Sequence, residues 1–94
     1  MAEKPEARLE ATVRGMVQGV GFRFRTLAEA ERLGLVGTAG NRLDGTVEVT
    51  AEGRREDVEA LLAWLRSDAA PGRVDEVEAS IGPANGGFTR FGVF

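Results

Sequence analysis

Hydrophobic and polar residues alternate in several short stretches of this chain. Leu9, Ala11 and Val13 alternate with charged or polar neighbours, which predicts a β-strand with one buried face that begins at Arg8. Four later stretches each predict a further strand, with clear alternation in the second of them, imperfect alternation in the third and interruption by glycine in the first. They are 35–41, 46–52, 74–81 and 91–93.

Two stretches between these strands carry apolar residues at helical spacing. Between 22 and 33 apolar positions recur every three or four residues, which predicts a helix that ends at Gly34. A second amphipathic helix is predicted after Gly53 and ends near Ser67. Its buried stripe consists of Val58, Leu61, Leu62 and Leu65.

The element order β-α-β-β-α-β, with a short strand added at the C-terminal end, predicts an α+β fold. It matches the ferredoxin-like split β-α-β sandwich, a mostly antiparallel sheet with two helices on one face. In that plan strand three lies between strands one and two and is antiparallel to each. Strands one and two then end at the same edge, so the loop after strand one should meet Asn41.

The 94 residues leave room for a single domain, predicted over 8–94 after a polar, flexible tail at 1–7. The chain has no cysteine, histidine or tyrosine, which excludes disulfides, thiolate or histidine metal sites and a Ser-His-Asp triad. Its net charge of -3 argues against nucleic-acid binding. Because it carries no membrane-length apolar run and no apolar leader, we expect a cytoplasmic protein without membrane contact.

Three glycines in seven residues mark the segment 15–21 as a loop that enters a helix. Such a loop can cradle an anion on its free amides, and Arg23 in the first helical turn could clamp two phosphoryl oxygens. The alternative is that the segment is only a turn. The pattern is not a nucleoside-triphosphate loop, since no Lys-Ser or Lys-Thr follows, and Phe24 replaces the third glycine of a dinucleotide loop.

Other conspicuous side chains have ordinary explanations. Asn41 precedes an Asp-Gly turn and can bond its own backbone, and Asp44 in that turn is expected to be structural. Phe22, Phe24 and Trp64 are expected in the core rather than on a base-stacking surface, which disfavours an RNA-binding domain. Solvated surface charges are expected at Arg14, Arg25 and Arg42.

The residues from Gly15 to Arg23 read Gly-Met-Val-Gln-Gly-Val-Gly-Phe-Arg, which resembles the signature of the acylphosphatase family. The resemblance continues through the 33–35, 41–45 and 47–49 segments and covers roughly residues 8–94. It implies hydrolysis of the carboxyl-phosphate bond of a small acyl phosphate to a carboxylate and inorganic phosphate.

The same resemblance implies roles for individual residues. Arg23 would clamp the phosphoryl group, or a free phosphate or sulfate anion, and Asn41 would orient the attacking water. It also implies that no metal and no organic cofactor are used, and we expect a monomer. Thr38–Gly40 depart from the family pattern, which leaves open a non-catalytic phosphate-sensing or interaction module on the same fold. The phosphate-binding main chain would be supplied by Met16, Val17, Gln18, Gly19 and Val20.

Overall fold

The computed structural model describes residues 5–94, which form a five-stranded sheet and two helices. The strands are β1 (Ala7–Met16), β2 (Val36–Asn41), β3 (Val47–Gly53), β4 (Arg73–Pro83) and β5 (Phe91–Val93). The helices are α1 (Phe22–Arg32) and α2 (Arg55–Leu65). Within residues 5–94 neither helix has the length and apolar character needed to cross a membrane.

The strand order is β4-β1-β3-β2-β5, in which every neighbouring pair is antiparallel except β2 and β5. This order confirms the predicted ferredoxin-like α+β fold, with β3 between β1 and β2. Val47 of β3 lies opposite Val13 of β1 on one side and opposite Asn41 of β2 on the other. The C-terminal ends of β1 and β2 therefore lie at the same end of the sheet, as expected.

The core lies between the helices and the buried face of the sheet, which alternate positions of β1 supply as predicted. Phe22 of α1 is buried and packs against Trp64 of α2 with ring centroids 6.2 Å apart. The core assignment of Phe24 was wrong, because its side chain is 59% exposed. With 3.6 residues per turn, a residue two positions after Phe22 points away from the face that Phe22 buries.

The ends of β1 differ from the prediction in both directions. The strand begins at Ala7, and the main-chain amide of Glu6 donates to the carbonyl of Gly53 at 2.9 Å, so these residues belong to the fold. Residues 1–4 of the predicted tail lie outside the described residues. At the other end β1 continues through Gly15 and Met16, which the sequence assigned to the loop.

Glycine makes that continuation possible. Gly15 has a φ of +135°, and the pairing of β1 with β4 shifts register between Arg14 and Gly15, as in a β-bulge. A Cβ atom at this position would lie 2.1 Å from the carbonyl oxygen of Arg73. Only glycine permits this approach of the two strands, which sets the point where the chain leaves the sheet.

Glu52 is fully buried in β3, where its carboxylate joins the sheet to the loop after β4. It accepts hydrogen bonds from Arg8 Nη1 at 2.8 Å and from the main-chain amides of Asn85 and Gly86 at 3.0 Å. Burial by itself raises the pKa of a carboxyl group, but these three donors outweigh it and hold the pKa of Glu52 below its ordinary value. The ionised form therefore fastens the loop to the sheet.

We expect the Glu52→Gln variant to lose about 2 to 3 kcal/mol of unfolding free energy at neutral pH. One carboxylate oxygen is replaced by an NH2 group, which cannot accept a hydrogen bond from the main-chain amide that it faces. Since the folded-state pKa is the lower one, the unfolded chain binds the proton more readily. The stabilisation is complete above the ordinary value of 4.5 and is lost as the pH falls through the folded-state pKa. Urea denaturation over this pH range measures both effects.

Glu59→Gln on the exposed side of α2 is the matched control, and its unfolding free energy should stay within about 0.5 kcal/mol of the parent. The role assigned to Glu52 would be refuted by equal stabilities of Glu52→Gln and this control.

Candidate active site at the end of the sheet

The segment from Val17 to Gly21 turns the chain from β1 into α1. The Val17 side chain is buried and fixes the start of the turn, while Gly19 and Gly21 adopt φ of +79° and +78°. Gly21 is the N-cap of α1, and within the described residues no side chain caps this end and no acidic residue occupies its first turn. The amides of that turn lack intrahelical acceptors and carry partial positive charge, which suits them to an anion.

Arg23 and Asn41 meet at one oxygen atom. Arg23 Nη1 donates to the main-chain oxygen of Phe94 at 2.9 Å, and the main-chain amide of Asn41 donates to the same oxygen at 3.1 Å. Phe94 follows β5, which pairs in parallel with β2. The main-chain amide of Phe94 continues this pairing by donating to the carbonyl of Ala39 at 3.0 Å. The half-buried guanidinium of Arg23 therefore lies beside the end of β2.

Gln18 ties the glycine loop to the turn between β2 and β3. Its side-chain amide donates to the main-chain oxygen of Arg42 at 2.8 Å and to that of Thr46 at 2.9 Å. These two oxygens lie on either side of the turn that follows Asn41. The side chain of Gln18 thus holds the loop against the segment that follows Asn41.

The turn itself is ordered by its own side chains. Asp44 Oδ1 accepts from the hydroxyl of Thr46 at 2.6 Å and from its main-chain amide at 3.0 Å, and these bonds hold the pKa of Asp44 below its ordinary value. Arg42 pairs with Glu48. Asp44 therefore has the structural contacts expected of it, whereas the Asn41 side chain is exposed at the end of β2.

The departure from the family pattern at Gly40 has a local explanation. A Cβ atom at Gly40 would lie 2.3 Å from Cε2 of Phe94, so the ring of Phe94 occupies the space that a side chain at this position would need. Gly40 thereby leaves room for the ring of Phe94 to lie against β2. Ala39, the preceding departure, is buried in the core.

The structure brings the predicted site residues to one end of the sheet, with two adjustments. Met16 is the last residue of β1 and lies opposite Arg73, so the turn proper begins at Val17. Val20 is exposed beside Gly72, where a Cβ atom would lie 2.9 Å from Val20 Cγ2. Sequence reasoning missed the contributions of the Gln18 side chain and the Phe94 oxygen, because both depend on long-range bonds to main-chain oxygens.

Replacing Gln18 with Met keeps the length of the side chain but removes both donors. We expect a loss of about 1 kcal/mol of unfolding free energy and faster amide exchange at 17–21 and 42–46, because the loop and the turn are no longer joined. Hydrogen-exchange mass spectrometry of the folded protein measures this. Unchanged exchange in both segments would contradict the tether, and the amides of α2, which Gln18 does not contact, provide the internal control.

A known family and its members match almost the whole of this chain. The acylphosphatase family model matches residues 9–93. An acylphosphatase of Arthrobacter sp. (strain FB24) is 52% identical over 88 residues, covering 94% of this chain and 81% of the relative. One from Thermobifida fusca (strain YX) is 55% identical over 86 residues, covering 92% of this chain and 94% of the relative.

The crystal structure of acylphosphatase from Bacillus subtilis has the same fold. It superimposes with a TM-score of 0.84 at 30% identity, covering 94% of this chain and 98% of that one. The family match spans both the glycine loop and Asn41, and the relatives align over almost the whole domain. The chain therefore belongs to the acylphosphatase family.

Proposed function

We propose that this protein hydrolyses acyl phosphates to a carboxylate and inorganic phosphate at the end of the sheet where β1 and β2 meet. The observation that carries the proposal is the convergence of Arg23 and Asn41 on the main-chain oxygen of Phe94, beside the glycine loop. The names of the aligned relatives support the same activity.

The phosphoryl group would be held by main-chain amides from Met16 to Val20 and by Arg23. A guanidinium carries five N–H donors in a planar fork, so the bond from Nη1 to Phe94 leaves others to bind phosphoryl oxygens. Because the protein holds these donors in place before the substrate arrives, stabilising the charge in the transition state requires little reorganisation.

Asn41 would orient the attacking water. Its main chain is fixed in β2 by pairing with Val47 and donates to the same Phe94 oxygen as Arg23, and its side chain is exposed. The water oxygen forms a bond to phosphorus while the bond from phosphorus to the acyl oxygen breaks, and the electron pair leaves with the carboxylate. The proton of the water passes to a phosphate oxygen.

The residue composition suits this reaction. A carboxylate departs without being protonated, so the site needs no general acid, and the absence of histidine is no obstacle. What the reaction requires is positioning and charge stabilisation, which an arginine, main-chain amides and a carboxamide can supply. A monomeric state and a cytoplasmic location stay predictions from the sequence.

The alternative of a non-catalytic phosphate-sensing module is not favoured. This alternative was suggested by the departure from the family pattern at Thr38–Gly40. However, Gly40 leaves room for the ring of Phe94, and Asn41 keeps its place in β2. The arginine, the loop and the carboxamide are all present. Phosphate release from acetyl phosphate by the purified protein is the direct test.

Replacing Arg23 with Gln should lower kcat/KM for acetyl phosphate by at least about 10²-fold, because a preorganised cationic donor is lost from the transition state. Initial rates of phosphate release measure the effect. Arg25→Gln is the matched control, since Arg25 is exposed on the same helix and should retain the parent rate. Full activity of the Arg23 variant would exclude its assigned role.

Replacing Asn41 with Ala should lower kcat by at least about tenfold while the inhibition constant of inorganic phosphate changes little, because the water loses its partner but the phosphate does not. Asn85→Ala changes the only other asparagine of the chain and serves as the control. If phosphate binding weakened in parallel with turnover, Asn41 would be a ligand of the phosphoryl group rather than of the water.

A further inference from the structure

Five large apolar side chains of the described residues are at least 43% exposed. We call them the apolar collar, because they lie around the candidate active site. They are Met16, Val20, Phe24, Leu43 and Phe94. Exposed apolar side chains gathered in one place commonly mark a binding surface, whereas scattered ones need no explanation.

The topology of the sheet explains why these side chains share one end of the molecule. Met16 ends β1, Leu43 follows β2, and Phe94 follows β5, which runs parallel to β2. These three strands all terminate at the same end of the sheet. Val20 lies in the loop that leaves this end, and Phe24 lies in the first turn of the helix that the loop enters.

Two aromatic rings of the collar stand next to the proposed catalytic residues. The guanidinium carbon of Arg23 lies 5.7 Å from the centre of the Phe24 ring. The Phe94 ring covers Gly40, which immediately precedes Asn41 in β2. Both rings are therefore close to the place where a group attached to a phosphate on Arg23 would lie.

The side chains on the open face of the sheet have a different character. A shallow trough there is lined by charged and small residues, among them Glu10, Glu48 and Glu78, and each of these three is paired with an arginine. The large exposed apolar side chains of the described chain are thus concentrated at the site rather than spread over the surface.

We infer that the apolar collar binds the acyl part of the substrate, so that the enzyme prefers acyl phosphates with a long aliphatic or aromatic acyl group. This inference rests on the proposed function. With the phosphoryl group in the loop, the anhydride bond directs the acyl group outward between the rings of Phe24 and Phe94. Small polar acyl groups leave the collar unoccupied and gain nothing from it.

Hexanoyl phosphate and acetyl phosphate provide the test, because they share the same anhydride bond and release carboxylates of similar basicity. Hexanoyl phosphate has four more methylene groups than acetyl phosphate. Each methylene buried against the collar should raise kcat/KM about fourfold, so burial of all four gives a ratio on the order of 200 in favour of hexanoyl phosphate. A ratio near one, with both substrates hydrolysed, would overturn the inference and leave the proposed function intact. Hydrolysis of neither substrate would refute the proposed function itself.

The double variant Phe24→Ser and Leu43→Ser identifies the surface responsible. Both side chains are exposed, so the fold should be retained. We expect the ratio of the two kcat/KM values to fall at least fivefold. An effect of Phe24 on Arg23 lowers both rates alike and cancels in the ratio. Ile81→Ser, in β4 opposite Leu9 and so toward the other end of β1, should keep the parent ratio.

Two further outcomes would count against the inference. A ratio that stays at the parent value in the double variant would show that other residues bind the acyl group. Sedimentation velocity at assay concentration tests whether a second copy of the chain covers the collar. A dimer that the double variant dissociates would assign the collar to self-association instead of substrate binding.

Discussion

The position of β3 between β1 and β2 is the constraint on which the site depends. Because β3 is antiparallel to both neighbours, β1 and β2 point the same way, and Val47 lies opposite both Val13 and Asn41. With neighbouring strands about 4.8 Å apart, this register places Val13, three residues before the end of β1, roughly 10 Å from Asn41. A loop and a carboxamide that are distant in sequence become two sides of one site.

Hydrogen bonds to main-chain oxygens complete what the sheet begins. Gln18 crosses from the loop to the turn after Asn41, and the oxygen of Phe94 collects donors from Arg23 and from Asn41. In the proposed function, these contacts would hold the anion-binding donors in position although the chain contains no histidine or cysteine. Gly40 contributes by leaving space for the ring of Phe94.

The periodicity of the sequence predicted the number, type and order of the elements, and the family resemblance is the source of the proposed roles of Arg23 and Asn41. The periodicity did not predict that β1 extends through Met16, since the positive φ of Gly15 and the bulge leave no periodic signal. Phe24 was assigned to the core by residue type, although its helical position points outward. The roles of Gln18 and Phe94 arise from long-range bonds to the backbone, which no local pattern records.

The two edges of the sheet differ in how they discourage pairing with another strand. β5 is only three residues long and offers little template for a further strand. β4 is long, with eleven residues, but it carries Asp75, Glu76 and Glu78 on its exposed positions and ends at Pro83. Adding a second β4 alongside would crowd like charges, so the fold carries its own protection against edge-to-edge polymerisation and fibril growth.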